Sequence, residues 1–444
     1  MTDASARRRI IGGSFGNFVE LYDFFVYGFS VPILASHFFP AGDSTAGLLS
    51  TFAVYAAAFL MRPVGGILFG RLGDRLGRVR MMVVTVVTMG ACTMVIGLVP
   101  TYEHIGIAAT VLLVAARLGQ GLSMGGETSG AYSFLLESAP EGRRARWLGY
   151  GAAMAFAPAA IVGLFIVGLR SAMGDDVFQD WGWRIPFILG GLLGLIGVLL
   201  RARLSDPEEF VEARKTEHVK DPLRAVFRTQ RRTMLNAGLL SSVNGLVTYA
   251  LNGYLYTYLL TVVGLDEIPA LLVTSAGIAG GAILYPVTGA MADRYGRKPL
   301  LIAGTLWTVA GIYPAFALAS SGSVAAACGA AAILMIGTAL TTTPQFAVQT
   351  ELFPTSMRYS GHAIATNLGN ALFGGTVALI SGVLVSATGS SVAPAFYIMG
   401  VSVFAFVVVL FTPETKDFDL RHSRVRAPGA CHEDRSAKEP TQAG

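Results

Sequence analysis

The chain has 444 residues, of which 53% are hydrophobic and only 14% charged, and its mean hydropathy is +0.57. An ordinary soluble domain carries about 25% charged residues, so that class is excluded. The formal net charge of +5 comes without a basic face interleaved with aromatics, which leaves no basis for a nucleic-acid partner. Cys92, Cys328 and Cys431 are far apart, with no CxxC or Cys/His cluster, so neither a disulfide framework nor a bound metal is expected.

Apolar stretches of about 20 residues are transmembrane candidates, because that length of helix spans the hydrocarbon core. Twelve occur, over 11–36, 46–69, 80–99, 107–136, 148–169, 185–203, 234–262, 270–290, 299–319, 324–349, 360–386 and 392–411. The N-terminus MTDASARRR leads straight into the first of them, without a small-residue cleavage site, so no cleavable signal is expected. With an even number of spans both termini share one side. That side holds 29 of the 33 Lys and Arg, which predicts cytoplasmic termini and an inner-membrane protein.

In the first span Glu20 and Asp23 are spaced i,i+3 and share one helix face. Charge inside a bilayer is costly, about 2.5–3.5 kcal/mol per residue on insertion scales, and so marks function or a buried pair. Two carboxylates that close compete for ionisation, which suits one of them to carry a proton. Arg62, before Pro63 near the inner end of the second span, is long enough to reach the inner interface, or else contacts substrate. Arg117 falls close to the midplane of the fourth span. There it can hold Asp23 or a substrate carboxylate, or form a permanent ion pair that only fixes packing. Glu127, nearer the cytosolic end, is a third candidate for proton coupling, alongside Asp23 and Glu20.

Between the second and third spans lies GRLGDRLGRVRMM (Gly70 to Met82), which returns 219 positions later as GAMADRYGRKPLL (Gly289 to Leu301). Glu137-x-x-Pro140-x-x-x-Arg144 matches Glu351-x-x-Pro354-x-x-x-Arg358 at an offset of 214. Two motifs at nearly one offset mean two related halves, the signature of a transporter built from repeats about a central site. The expected layout is a first six-helix bundle (1–203), a cytosolic linker (204–233), a second bundle (234–412) and a disordered cytosolic tail (413–444). Helix N-termini favour anions, so Asp74 against the eleventh span and Asp293 against the fifth would latch the halves together on the inside. Arg75, Arg78, Arg294, Arg297, Glu137, Glu351 and Arg358 complete this gating set.

The second half offers polar groups for the other wall of a cavity, and Tyr249, Asn252, Tyr256 and Gln345 are the substrate-binding candidates there. Gly121-Leu-Ser123-Met-Gly125 fits GxSxG. A nucleophile elbow, however, needs a strand before it, and this stretch lies in an apolar helix, so the chain is not expected to be an enzyme. No GxxxxGK[ST] is present, which leaves an ion gradient or downhill flow to drive transport.

These residues resemble the major facilitator superfamily and, within it, the metabolite:proton symporters. The matching stretches are GNFVELYDFFVYGF (16–29), FLMRPVGGILFGRLGDRLGR (59–78), RLGQGLSMGGE (117–127), WGWRIPF (181–187), DRYGRKP (293–299), ELFPTSMRYSG (351–361) and NALFGG (370–375). The resemblance implies an all-α membrane protein of two six-helix bundles rocking about a midplane site, with proton-coupled uptake and no cofactor. It also implies cytosolic gating by the Asp74 and Asp293 loops, and coupling or binding by Asp23, Arg117 and Glu127. FFPAGDSTAGLLS and WGWRIPFILGG lean towards the 2-oxoglutarate branch, so a monomeric importer of a small organic acid is expected. A proline or betaine carrier that holds its cation on the seventh-span tyrosines, and a proton-driven exporter, are the rivals.

Overall fold

The computed structural model describes residues 3–39, 44–202, 204–208, 210–212, 222–374, 376–420 and 424–425. Parts of the expected linker (213–221) and tail (426–444) lie outside the described residues. Among those described, the apolar runs become twelve long helices. The first half holds α1 (Asp3–Phe38), α2 (Ser44–Leu76), α3 (Arg78–Leu98), α4 (Ile107–Ser138), α5 (Arg144–Met173) and α6 (Arg184–Arg201). In the second half α7 runs over Arg231–Tyr249, through a π-helical turn at Ala250–Tyr254, into Leu255–Thr261. It is followed by α8 (Glu267–Tyr295), α9 (Arg297–Ala319), α10 (Val324–Glu351), α11 (Arg358–Gly369, then a π-helical turn Asn370–Gly374 and Val377–Thr388) and α12 (Ala393–Phe411).

Helices fill the membrane because hydrocarbon offers no partner to a backbone N–H or C=O left outside its own segment. Leu60, Leu199, Ile283 and Phe411 point outward and are 69–82% exposed, as lipid-facing side chains should be. The shared motif turns each half at a glycine: Gly77 (φ 114°) precedes α3 and Gly296 (φ 104°) precedes α9, both in conformations that a Cβ disfavours. Each turn delivers free backbone N–H groups to an acid that follows the last helix of its half. Asp206 accepts from Val79 N at 2.9 Å, and Glu414 accepts from Arg297 N and Lys298 N at 3.0 Å each.

Within the halves α2 packs on α4, α3 on α6, α8 on α10, and α9 on α10 and α12. Between the halves the main seams are α2 against α11 and α5 against α8, related by the same repeat. The expectation of a disordered tail fails at its start. Glu414 caps α9, Phe418–Asp419 pairs antiparallel with Arg424–Val425, and the Leu420 carbonyl accepts from Thr355 and Arg358. Composition alone could not register docking that uses backbone carbonyls.

Candidate functional site

Three acids and three arginines pair inside the first half. Asp23 Oδ2 accepts from Arg117 Nη1 at 3.3 Å, while Oδ1 accepts from Thr93 Oγ1 (2.8 Å) and Gln120 Nε2 (2.6 Å). Arg117 also donates to Gln120 Oε1 at 2.8 Å and lies 3.8 Å from the centre of the Tyr27 ring. Both partners are buried, at 1% and 2% exposure, so the pair is shielded from bulk water.

Glu20 does not pool with Asp23. Its Oε1 accepts from Arg62 Nη2 at 2.8 Å, and Thr128 Oγ1 donates to both carboxylate oxygens. Arg62 therefore does not snorkel to the interface: it is 4% exposed and pinned inside the bundle. Its Nη1 donates to Tyr249 Oη across the boundary between halves at 2.7 Å, and its guanidinium stands 5.0 Å from the centre of the Phe59 ring. Phe24, Phe59 and Tyr249 form an aromatic cluster here, with centroids 5.2–5.9 Å apart. Here, away from the basic face, a charged side chain of the first half meets a polar side chain of the second.

Glu127 lies nearer the basic loops and pairs with Arg201, which also donates to the Gly12 and Gly13 carbonyls; Thr85 Oγ1 donates to Glu127 Oε2. Sequence reasoning missed Arg201 because it stands next to a basic linker and was counted with it. The available signal was the lone Glu127, which needed a buried cation. Thr93, Gln120 and Thr128 were also missed, since neutral polar residues in a helix carry no charge signal.

Asn252 is buried in the π-helical turn of α7. Tyr256 lies at the end away from the basic loops, its ring 5.6 Å from Phe29 and its hydroxyl 3.4 Å from Glu267 Oε1. Gln345 lines a cavity of about 20 Å³ among α7, α9, α10 and α12, roomy enough for one water. Neither Tyr256 nor Gln345 is brought to the Arg62–Tyr249 contact. Ser123 donates to the Thr85 carbonyl, and Gly121 and Gly125 let α2 cross closely, since a Cβ at either would stand 2.1 Å from an α2 carbonyl. GxSxG here is a helix-packing surface.

At the basic face Asp74 Oδ2 accepts from Ser360 N (2.9 Å) and Ser360 Oγ (2.6 Å) at the start of α11, while Oδ1 accepts from Arg78. In the twin seam Asp293 accepts from Ala145 N (3.0 Å) and Arg146 N (2.9 Å) at the start of α5. Glu137 bridges Arg78 at 2.9 Å and, across the seam, Arg358 at 2.8 Å. Glu351 holds Arg297 at 2.9 Å, and Arg78 reaches the Thr355 carbonyl of the other half at 3.0 Å. Arg75 and Arg294 are exposed instead, with Arg294 stacked on Tyr295, so neither lies within these buried contacts.

Residues 13–282 match the family described as Major Facilitator Superfamily, and 205–425 match Sugar (and other) transporter. The proline/betaine transporter of Salmonella typhimurium is 33% identical over 94% of this chain and 86% of that protein. The alpha-ketoglutarate permease of Escherichia coli K12 is also 33% identical, over 92% of this chain and 95% of that protein. Among solved structures, the proton:xylose symporter XylE bound to 6-bromo-6-deoxy-D-glucose superposes with a TM-score of 0.77 at 17% identity, covering 95% of this chain and 99% of that one.

Proposed function

This chain belongs to the major facilitator superfamily, and on that premise we propose that it is a proton-coupled symporter importing a small carboxylate-bearing zwitterion of the proline or betaine kind. One observation carries the reading: Arg62 is held between Glu20 of one half and Tyr249 of the other, beside the Phe24, Phe59 and Tyr249 rings. When Glu20 takes a proton it no longer competes for Arg62, whose planar fork then receives the solute carboxylate. The aromatic faces receive the ammonium by cation–π attraction, worth about 2 kcal/mol or more when desolvated.

At rest Glu20, Asp23 and Glu127 each have one arginine; once Glu20 is protonated the solute carboxylate takes its place on Arg62, and the aromatic rings are what meets the cation of a zwitterion. The expected organic acid is the second reading, favoured by Arg117 as a second cation for a dicarboxylate once Asp23 is protonated as well. The alpha-ketoglutarate permease relative supports that alternative.

In the cycle, Glu20 loads a proton from outside, the solute engages Arg62 and Tyr249, and the halves rock so that the site opens inward. The contacts of Asp74, Arg78, Asp293, Arg297, Glu137, Glu351 and Arg358 are the inner gate. They close the basic face, which on this reading is cytoplasmic in a bacterial inner membrane. Uptake into proteoliposomes under an inward proton gradient tests the assignment with radiolabelled proline, betaine, 2-oxoglutarate and citrate. Accumulation of proline or betaine alone is expected; accumulation of 2-oxoglutarate alone transfers the assignment to the dicarboxylate.

A further inference from the structure

His362, on the second turn of α11, is fully buried, and neither of its ring nitrogens has a hydrogen-bond partner among the described residues. A buried polar group without a partner is costly, so its presence calls for an account. Its ring meets the Tyr132 ring of α4 edge-on, with centres 6.5 Å apart. Tyr132 stands one helical turn beyond Thr128, whose hydroxyl donates to both oxygens of Glu20. Glu20 and Tyr132 are close enough to interact electrostatically. One turn nearer the basic face on α1, the buried Asn17 amide also has no partner among the described residues. On the other side of His362, Arg358 lies one turn along the same helix and donates to Glu137 of the inner gate at 2.8 Å. The charged and titratable groups facing the ring are thus Tyr132 of α4 and, on its own helix, Arg358 with its partner Glu137; α10 presents Phe346, stacked on Tyr132.

We propose that His362, reached through Tyr132, relays the coupling proton from Glu20 out to the basic face. The inference rests on the symport reading above, in which Glu20 carries that proton. A phenol oxygen accepts a proton while giving up its own, and a neutral imidazole accepts on one nitrogen and releases from the other. Each ends neutral, so no new charge is left beside Arg358. Glu20 returns to a carboxylate and recovers Arg62, which displaces the solute. In the closed structure the route is broken, because the His362 ring bonds to none of the described residues. When the seam of α4 against α11 parts, water enters from the basic face, bridges Tyr132 to the ring, receives the proton and resets the tautomer. Proton release is thereby tied to inward opening, and the closed carrier does not leak.

The full chain in proteoliposomes is assayed in two ways. Accumulation under an inward proton gradient requires the proton to leave inside, whereas counterflow at equal pH exchanges solute without net proton release. Both are run with radiolabelled proline, betaine and 2-oxoglutarate, so the identity of the solute does not bear on the outcome. His362→Phe keeps an aromatic ring against Tyr132 and removes both nitrogens. Its accumulation rate is expected to fall about a hundredfold, the lower end of what a positioned proton-transfer group contributes, with counterflow at the wild-type rate. Tyr132→Phe should show the same split. Undiminished accumulation in His362→Phe overturns the relay. Should His362→Phe lose both activities, Tyr132→Phe decides: the split upholds the relay, and undiminished accumulation or joint loss overturns it. Glu20→Gln separates the inference from the reading beneath it. If Glu20→Gln fails to accumulate solute while His362→Phe accumulates it normally, Glu20 stands and the relay falls. If Glu20→Gln itself accumulates solute at the wild-type rate, the proton reading of Glu20 fails and takes the relay with it.

Discussion

The two halves share a fold and differ in what they bury. The first half carries Glu20, Asp23, Glu127, Arg62, Arg117 and Arg201 inside its helices, each in an ion pair. In the second half, residues 234–265, 268–292, 299–349 and 359–411 contain no Asp, Glu, Lys or Arg at all; their polar content is hydroxyls, amides and His362. Both copies of the repeat keep buried charge at the gate motifs, including Arg297, Glu351 and Arg358 in the second, but only the first carries it within the membrane-spanning stretches. Ions are handled on one side, and the second side presents Tyr249 to them.

The sharpest break of that contrast is a stability measurement. Arg201→Ala strands Glu127 and should cost about 3–5 kcal/mol, as removal of one member of a buried pair does. Gln345→Ala, at a buried polar residue of the neutral half, should cost no more than about 1–3 kcal/mol. Chemical denaturation in detergent compares them, and equal losses would erase the distinction. Next in size, Arg62→Gln removes a charged contact to the solute carboxylate worth about 1.5–3 kcal/mol, which raises KM some tenfold to a hundredfold in initial-rate uptake. An unchanged KM would take Arg62 out of the binding site. Smallest is Tyr249→Phe. It keeps the ring for the cation and loses one hydrogen bond of about 1 kcal/mol, so KM should rise about fivefold; Tyr249→Ala should then weaken betaine further while leaving a dicarboxylate competitor no worse than Tyr249→Phe does.

Long apolar runs made the helices legible: the expected 80–99, 299–319 and 392–411 differ from α3, α9 and α12 by no more than two residues at either end. The π-helical turns at Ala250–Tyr254 and Asn370–Gly374 were not legible, because a one-residue change of helical register leaves hydrophobicity untouched. Asp23 with Arg117 could be read from charge in a forbidden place. For Arg62, closeness to the helix end left an escape to water open beside a substrate contact, and the α1 and α7 side chains foreclose that escape. The docking of the segment after α12 left no trace in composition, being held by carbonyl oxygens that every residue possesses.

Proton movement coupled to solute entry tests the central claim most directly. Proteoliposomes at equal pH on both sides, with a pH-sensitive dye outside, receive proline or betaine down its gradient. The wild-type chain should make the exterior more alkaline as protons enter with the solute, and Glu20→Gln should abolish that signal. Solute entry without any proton movement in the wild type, or an undiminished signal in Glu20→Gln, would contradict it.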